Sequence, residues 1–225
     1  EIIMRYVKEL IETTLSTVRK YMVAGNYGGG DFYYKECDYK TDNNIPEIDE
    51  TWKKWGPRSE MSGLDKHVWV RGKIKTPDSV PDDTYLVLDC TKIGENPQTI
   101  LYLDGRMMQG FDGNHSTARI ECGREYDVTL YIYFDGVNIG SGMIQPCMKT
   151  ISKKVEKAYF DMKIPFEAAQ CFEGDAPEKK LMYKHLEIAC LMIDKTHEGR
   201  PEFFASLEAA DEYMIKEFYG KECGK

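Results

Sequence analysis

Residues 67–164 carry strand-length segments in which apolar and polar residues alternate, and this period of two constrains the fold most. The alternation is strictest in His67–Lys75, where Val68, Val70 and Ile74 share one side. Successive side chains of a strand point to opposite faces of a sheet, so this segment predicts a strand with one apolar face. The same alternation, or a short apolar run, recurs at 84–90, 99–103, 126–134 and 157–164.

Short strands separated by Gly, Pro and Asp are typical of an antiparallel β-sandwich. The gaps between these segments are longer than those of an immunoglobulin domain, which favours a jelly roll of two packed sheets. The predicted fold class is therefore mainly β with flanking helices.

Both ends of the chain carry the period of an amphipathic helix instead. Residues 1–22 place apolar side chains at the i, i+3, i+4 spacing, which predicts a helix that packs on this protein's own body or binds a partner. Near the other end, Asp175 as the N-cap, Pro177 in the first turn and Glu178 closing a capping box predict a helix start. A second apolar stripe follows and ends at Gly220, a predicted C′ glycine. We therefore expect a C-terminal helical hairpin.

These patterns predict three consecutive regions. An N-terminal helix and an irregular aromatic segment packed on the sandwich occupy 1–50, the β-sandwich occupies 51–172, and the helical hairpin occupies 173–225. Residues 23–64 are expected to be irregular, because the triplet Gly28–Gly30 cannot hold a helix. The triplet does not predict a phosphate loop, since no Gly-Lys-Ser/Thr follows it.

Composition excludes several classes of function. The formal net charge of the 225 residues is −8, which argues against nucleic-acid binding, because phosphate contacts need a basic surface. No apolar run approaches the roughly 20 residues of a membrane span, so we expect no membrane partner. The seven cysteines are scattered without Cys-x-x-Cys spacing, which speaks against structural zinc. We expect reduced thiols in a cytoplasmic protein.

The stretch Thr99–Ile120 predicts a β-hairpin followed by a polar loop. Asp104–Gly105 tolerates the positive φ angles of a tight hairpin turn. The loop then presents Asp112, Asn114 and His115 on glycine-permitted turns. These side chains could hydrogen-bond a sugar hydroxyl or a partner domain, or they could satisfy the backbone of the loop itself.

Trp69 and Arg71 are the second pair of candidate site residues, on the polar side of the strictly alternating strand. They could form a stacking platform beside a charge, or a buried contact with another layer. The four histidines lie outside the His-x-Asp and His-Glu-x-x-His spacings of metal sites, and no Gly-x-Ser-x-Gly elbow is present. We therefore predict no catalytic and no metal-binding residue in this chain.

Several pieces occur in a characteristic order. They are Trp52, a turn at Gly63, the strand His67–Arg71 with Trp69, a closing Pro77, and a hairpin motif made of Leu101–Gly105 and Gln109–His115. This order resembles the N-terminal domain of the α-mannosidases of glycoside hydrolase family 38, in the branch with cytosolic and bacterial members. The specific part covers residues 50–135, and it implies a galactose-binding-like sandwich. The sequence departs from the family at Ser62, where a Trp is usual, and at Val70, where an aromatic residue is common.

The resemblance implies that catalysis resides in another part of a larger retaining enzyme. In the family, a His-x-Asp motif with further Asp and His ligands holds a zinc ion, and an aspartate forms a covalent glycosyl-enzyme intermediate. That motif is expected after the last helix and does not occur in this sequence. We therefore expect a non-catalytic accessory domain with no cofactor of its own, and zinc in the catalytic domain.

The expected partners are that catalytic domain, mannosides and, in the full protein, further copies of the chain. Two alternatives stay open: a carbohydrate-binding module with its own sugar site, and a subunit-assembly domain.

Overall fold

The computed structural model describes residues 2–38, 44–56, 65–90, 98–111, 115–134 and 146–221. The chain forms two compact units, one of residues 25–150 and the other of residues 1–24 together with 151–225. The first unit is built from β-sheets and the second from helices, which confirms the predicted fold class, mainly β with flanking helices. The boundaries of these two units differ from the boundaries of the three consecutive regions expected from the sequence.

The strands of the described residues form two sheets. They are β1 (Val23–Gly28), β2 (Phe32–Cys37), β3 (Lys53–Trp55), β4 (Lys66–Lys75), β5 (Thr84–Asp89), β6 (Gln98–Leu103), β7 (Arg106–Phe111), β8 (Thr117–Arg119), β9 (Glu125–Phe134) and β10 (Cys147–Ser152). The large sheet has the order β3-β2-β4-β9-β6-β7, and its pairings are antiparallel. The small sheet has the order β1-β10-β5-β8.

The two sheets bury their facing side chains in one apolar core. The large sheet contributes Val68, Val70, Ile74, Leu101, Val128, Leu130 and Ile132, and the small sheet contributes Leu86, Leu88, Ala118 and Met148. These positions follow the period of two seen in β4 and β9. The predicted sandwich of two packed sheets is therefore confirmed.

The opposite face of the large sheet is also covered. A second group of buried residues, here called the aromatic cluster, consists of Trp52, Trp69, Tyr102 and Tyr131. Trp52 comes from the segment 44–52, which also packs Ile45 against the cluster. Strands β4 and β9 are consequently buried on both faces in their central parts.

The expectation that residues 23–64 are irregular is wrong, since β1, β2 and β3 lie there. Strand β2 pairs with β4 over six residues, from Phe32 opposite Gly72 to Cys37 opposite His67. Its apolar positions are interrupted by Lys35 and Glu36, which hides the strand pattern in the sequence.

The helical unit contains α1 (Ile2–Arg19), α2 (Lys153–Gln170), α3 (Pro177–Met192) and α4 (Pro201–Tyr213), with a π-helical turn over Met214–Tyr219. Helix α1 buries Val7, Ile11, Leu15 and Val18 in a core shared with α2 and α3. The N-terminal stripe thus packs on other helices of this chain. Among the helices that the structure describes, none combines the length and apolar character needed to cross a bilayer.

The strand predicted at 157–164 is wrong, because these residues lie within α2. Phe160 and Ile164, which were expected to share a buried strand face, are exposed. The buried positions instead follow helical spacing: Val155, Ala158, Tyr159, Met162, Phe166 and Ala169. Alanine and methionine four apart fit a period of two as well as one helix face, which made the pattern ambiguous.

The ends of the C-terminal helices differ in detail from the prediction. The N-cap of α3 is Ala176 rather than Asp175, and it makes no side-chain capping bond. Pro177 occupies the first turn, as predicted, because a proline there loses no intrahelical hydrogen bond. Gly220 follows the π-helical turn with a right-handed φ of −72°, so it does not adopt the left-handed conformation of a C′ glycine.

The glycine triplet allows backbones to approach closely. A Cβ atom at Gly30 would lie 1.8 Å from the carbonyl oxygen of Lys73, and one at Gly29 would lie 2.1 Å from that of Pro146. Backbone carbonyl groups within or next to a strand cannot rotate aside as a flexible side chain can. Only glycine therefore fits at these two positions.

We predict that Gly30→Ala lowers the free energy of unfolding by about 3 kcal/mol. The added methyl group would force β4 away from the loop that contains Gly30 and leads into β2. The matched control is Gly110→Ala, where the nearest atom to a new Cβ lies 3.7 Å away, and the expected change is under about 0.5 kcal/mol. Urea unfolding of the two variants measures both values. Equal stabilities of the two variants would contradict the close-approach argument.

Candidate functional site

The hairpin β6–β7 forms as the sequence predicts. Asp104 and Gly105 occupy the turn with φ angles of 51° and 76°. The Asp104 carboxylate accepts a hydrogen bond from the Asp127 backbone N–H at 3.0 Å and another from Nη2 of Arg124 at 2.7 Å. These bonds tie the turn to the start of β9, so the hairpin is held at its tip as well as along its strands.

A hydrogen bond links the two strands that flank the predicted polar loop. The Gln109 side chain donates a hydrogen bond to the Thr117 carbonyl oxygen at 2.9 Å, which joins β7 to β8. His115 lies exposed just before β8. Asp112 and Asn114 lie outside the described residues, so their roles as contact residues stay predictions.

Trp69 lies in the interior of the aromatic cluster, with 4% of its surface exposed. Its ring centroid is 4.9 Å from that of Tyr131 and 6.1 Å from that of Tyr102, both in tilted arrangements. Such pairs stabilise a fold beyond the area they bury. Of the two interpretations of this residue, the buried contact with another layer matches its surroundings.

Arg71 forms the best-connected polar contact on the same face. Its Nη2 and Nε atoms donate to the two carboxylate oxygens of Asp127 at 2.7 and 3.1 Å. Its Nη1 atom donates to the Pro46 carbonyl oxygen and to Glu47 Oε2, both at 3.1 Å. Hydrogen bonding to the Asp127 carboxylate raises the pKa of Arg71, so the guanidinium stays charged. Arg71 therefore fastens the segment 44–52 to the sheet.

A groove of about 410 Å³ opens beside this pair. We call it the Arg71 groove; its lining residues are Asp31, Tyr33, Glu47, Ile48, Arg71, Gly72, Lys73 and Asp127. The sheet register explains the arrangement, since Tyr33 lies opposite Arg71 and Lys73 lies opposite Asp127. Three neighbouring strands therefore present an aromatic ring, carboxylates and cations side by side.

The arrangement is suited to hydrogen bonding. Arg71 and Asp127 form an ion pair joined by two hydrogen bonds. In the part of the chain that the structure describes, no group of three or more His, Cys, Asp or Glu side chains could hold a metal ion.

Sequence reasoning identified Arg71 but missed Tyr33, Glu47 and Asp127. Asp127 shares the outward row of β9 with Thr129, so correct pairing of β9 with β4 would have placed it beside Arg71. Glu47 lies in a segment without periodicity, and no sequence signal points to its contact with Arg71.

No protein-family model and no curated protein matches the chain. Among solved structures, the chain is similar to a β-glucuronidase from Ruminococcus gnavus in complex with C6-substituted uronic isofagomine. The TM-score is 0.38 and the sequence identity is 10%, over 57% of this chain and 29% of that chain. A likeness at this level assigns neither a family nor an activity.

We predict that Arg71→Lys lowers the free energy of unfolding by about 1–2 kcal/mol. Lysine keeps the charge but cannot reach both oxygens of Asp127 and the Pro46 carbonyl together, so part-buried acceptors lose their donors. The matched control is Lys73→Met, which removes an exposed pair with Glu125 and should cost under about 0.5 kcal/mol. Urea unfolding measures both values. If Arg71→Lys lowers the free energy of unfolding no more than the control does, the two-pronged guanidinium contact is not needed for stability.

Proposed function

We propose that this chain is the non-catalytic N-terminal accessory domain of a zinc-dependent retaining α-mannosidase of glycoside hydrolase family 38. One observation supports the proposal above the others: pieces of the motif that are far apart in sequence belong to one physical unit. Trp52, the strand residue Trp69 and the hairpin residue Tyr102 come from three different pieces of the motif, and all three lie in the aromatic cluster. A chance resemblance of scattered residues would not require them to meet.

In this proposal, the domain supports a catalytic domain encoded elsewhere in the same protein. The hairpin β6–β7 is suited to such a contact because its turn is fixed by Asp104. Next to that turn, Met107 and Met108 are 63% and 54% exposed on an outer strand of the large sheet. Exposed methionines side by side are adaptable apolar contact residues. The predicted loop with His115 follows directly on this strand.

Zinc belongs to the catalytic domain in this proposal. Oligomannoside breakdown in the cytoplasm is the corresponding process for the whole enzyme.

A carbohydrate-binding module with its own sugar site is the second candidate, because the Arg71 groove combines an aromatic side chain with fixed polar groups. Subunit assembly through the outer strands β3 and β7 is a third role, compatible with their position at the edges of the large sheet.

The proposal predicts a clear division of activity. We expect the 225-residue chain, assayed with an aryl α-mannoside and added zinc, to show no turnover above background. The product of the complete reading frame should contain a His-x-Asp motif and should hydrolyse the same substrate with retention of configuration.

A chelator should abolish that hydrolysis, and zinc should restore it. An aryl α-glucoside serves as the matched control substrate. Zinc-dependent turnover by the 225-residue chain alone would place the chemistry in this domain. A reading frame without mannosidase activity would overturn the family assignment.

A further inference from the structure

We propose that the Arg71 groove binds one residue of a neutral pyranose sugar. The choice of a mannoside as that sugar rests on the proposed function, whereas the sugar class follows from the groove itself. The site is separate from the loop at His115, and it uses residues of β2, β4, β9 and the segment 44–52.

The size of the groove suits a small ligand. Its volume of about 410 Å³ lies toward the lower end of the roughly 300–1,000 Å³ usual for ligand sites. Such a space holds a single sugar ring and leaves its neighbours in a longer glycan outside. The groove therefore matches an internal or terminal residue of an oligosaccharide.

Tyr33 and Ile48 supply the apolar surface. Tyr33 is half-buried, and its place on β2 opposite Arg71 fixes its position in the sheet. Ile48 lies in the segment 44–52, which borders the groove, and its side chain is partly exposed. A pyranose ring presents C–H groups on its flat faces, and these pack against an aromatic or aliphatic side chain as other apolar groups do.

The polar groups of the groove can hydrogen-bond the hydroxyl groups of a sugar, because the lining contains both acceptors and donors. The Asp31 and Glu47 carboxylates accept hydrogen bonds, and the Lys73 ammonium group donates them. The side chains of Asp31 and Lys73 are largely exposed, so their remaining bonding capacity faces the groove and solvent. A hydroxyl both donates and accepts, which lets one sugar ring use both kinds of partner.

Charge argues against an ionic ligand. The lining carries three carboxylates, from Asp31, Glu47 and Asp127, and two cations, from Arg71 and Lys73. An anion would face the three carboxylates, and a free cation would face Arg71 and Lys73, whereas a neutral polyhydroxylated ligand meets no like charge.

The groove is organised before a ligand enters. Through four hydrogen bonds, Arg71 holds the Asp127 carboxylate, the Pro46 carbonyl oxygen and the Glu47 carboxylate. A Cβ atom at Gly72 would lie 2.4 Å from the Asp31 carbonyl oxygen, so glycine lets the chain entering β2 lie close to β4. A preorganised site loses less entropy on binding.

The test is a titration of the isotope-labelled 225-residue chain with methyl α-mannopyranoside, followed by two-dimensional NMR. We expect saturable shifts at the amides of Gly72, Lys73 and Asp127 with a Kd of about 1 mM or tighter. Tyr33→Ala should weaken binding by about tenfold or more. The matched control is Tyr27→Ala, since Tyr27 is exposed and does not line the groove; it should leave the Kd unchanged.

A second variant keeps the test valid if Tyr33→Ala loosens the sheet. Asp31→Asn is isosteric at an exposed position. It removes an acceptor charge and weakens an exposed ion pair with Lys54, which contributes at most about 1 kcal/mol, so it should weaken binding with little change in the unfolding midpoint. Saturable shifts that neither variant reduces would overturn the site, as would the absence of shifts up to roughly 50 mM sugar. Stronger shifts with inorganic phosphate than with the sugar would overturn the neutral-ligand argument.

The outcomes of this test for the sugar site can be distinguished from the outcomes of the test for the proposed function. Binding of methyl α-glucopyranoside or α-galactopyranoside in place of the mannoside, with the same dependence on Tyr33, would support the sugar site and count against mannose as its ligand. Hydrolysis of mannosides by the complete enzyme, combined with no binding to the groove, would overturn the site and leave the accessory-domain proposal standing.

Discussion

The pairing of β4 with β9 is the interaction on which the β-unit depends. Ten residue pairs run in unbroken antiparallel register, from Lys66 opposite Phe134 to Lys75 opposite Glu125. One face of this ladder forms the core between the sheets, and the other supports the aromatic cluster and the Arg71 groove. A slip of one residue would exchange the two faces, so the apolar row of β4 and the Arg71–Asp127 contact specify the same register.

The middle of the β-unit could be read from sequence because its strands alternate or are uniformly apolar. The hairpin turn at Asp104–Gly105 was equally clear, since few dipeptides tolerate two positive φ angles. The strand prediction for residues 157–164 was wrong because helical and strand periods overlap in a short window. Strand β2 was hidden because polar side chains interrupt its apolar positions, and its existence depends on a partner strand far along the chain.

The candidate site shows the same limit. Arg71 stood out beside Trp69, but the partners that define its role lie 56 and 24 positions away, at Asp127 and Glu47. Their meeting depends on sheet pairing and on a segment without periodicity, neither of which a local pattern reports. The two candidate residues therefore differ in role. Trp69 is buried and stabilises the outer face of the large sheet, whereas Arg71 lines a groove that a ligand can reach.

The segment 44–52 covers the outer face of the large sheet through Trp52. Hydrogen exchange of the wild-type chain and of Trp52→Ala tests this contact most directly. Deleting this buried ring should lower the free energy of unfolding by about 3–5 kcal/mol, and it should speed exchange at the β4 and β9 amides around Trp69 and Tyr131. Unchanged protection of those amides, with a stability change under about 0.5 kcal/mol, would show that Trp52 does not stabilise this face of the sheet.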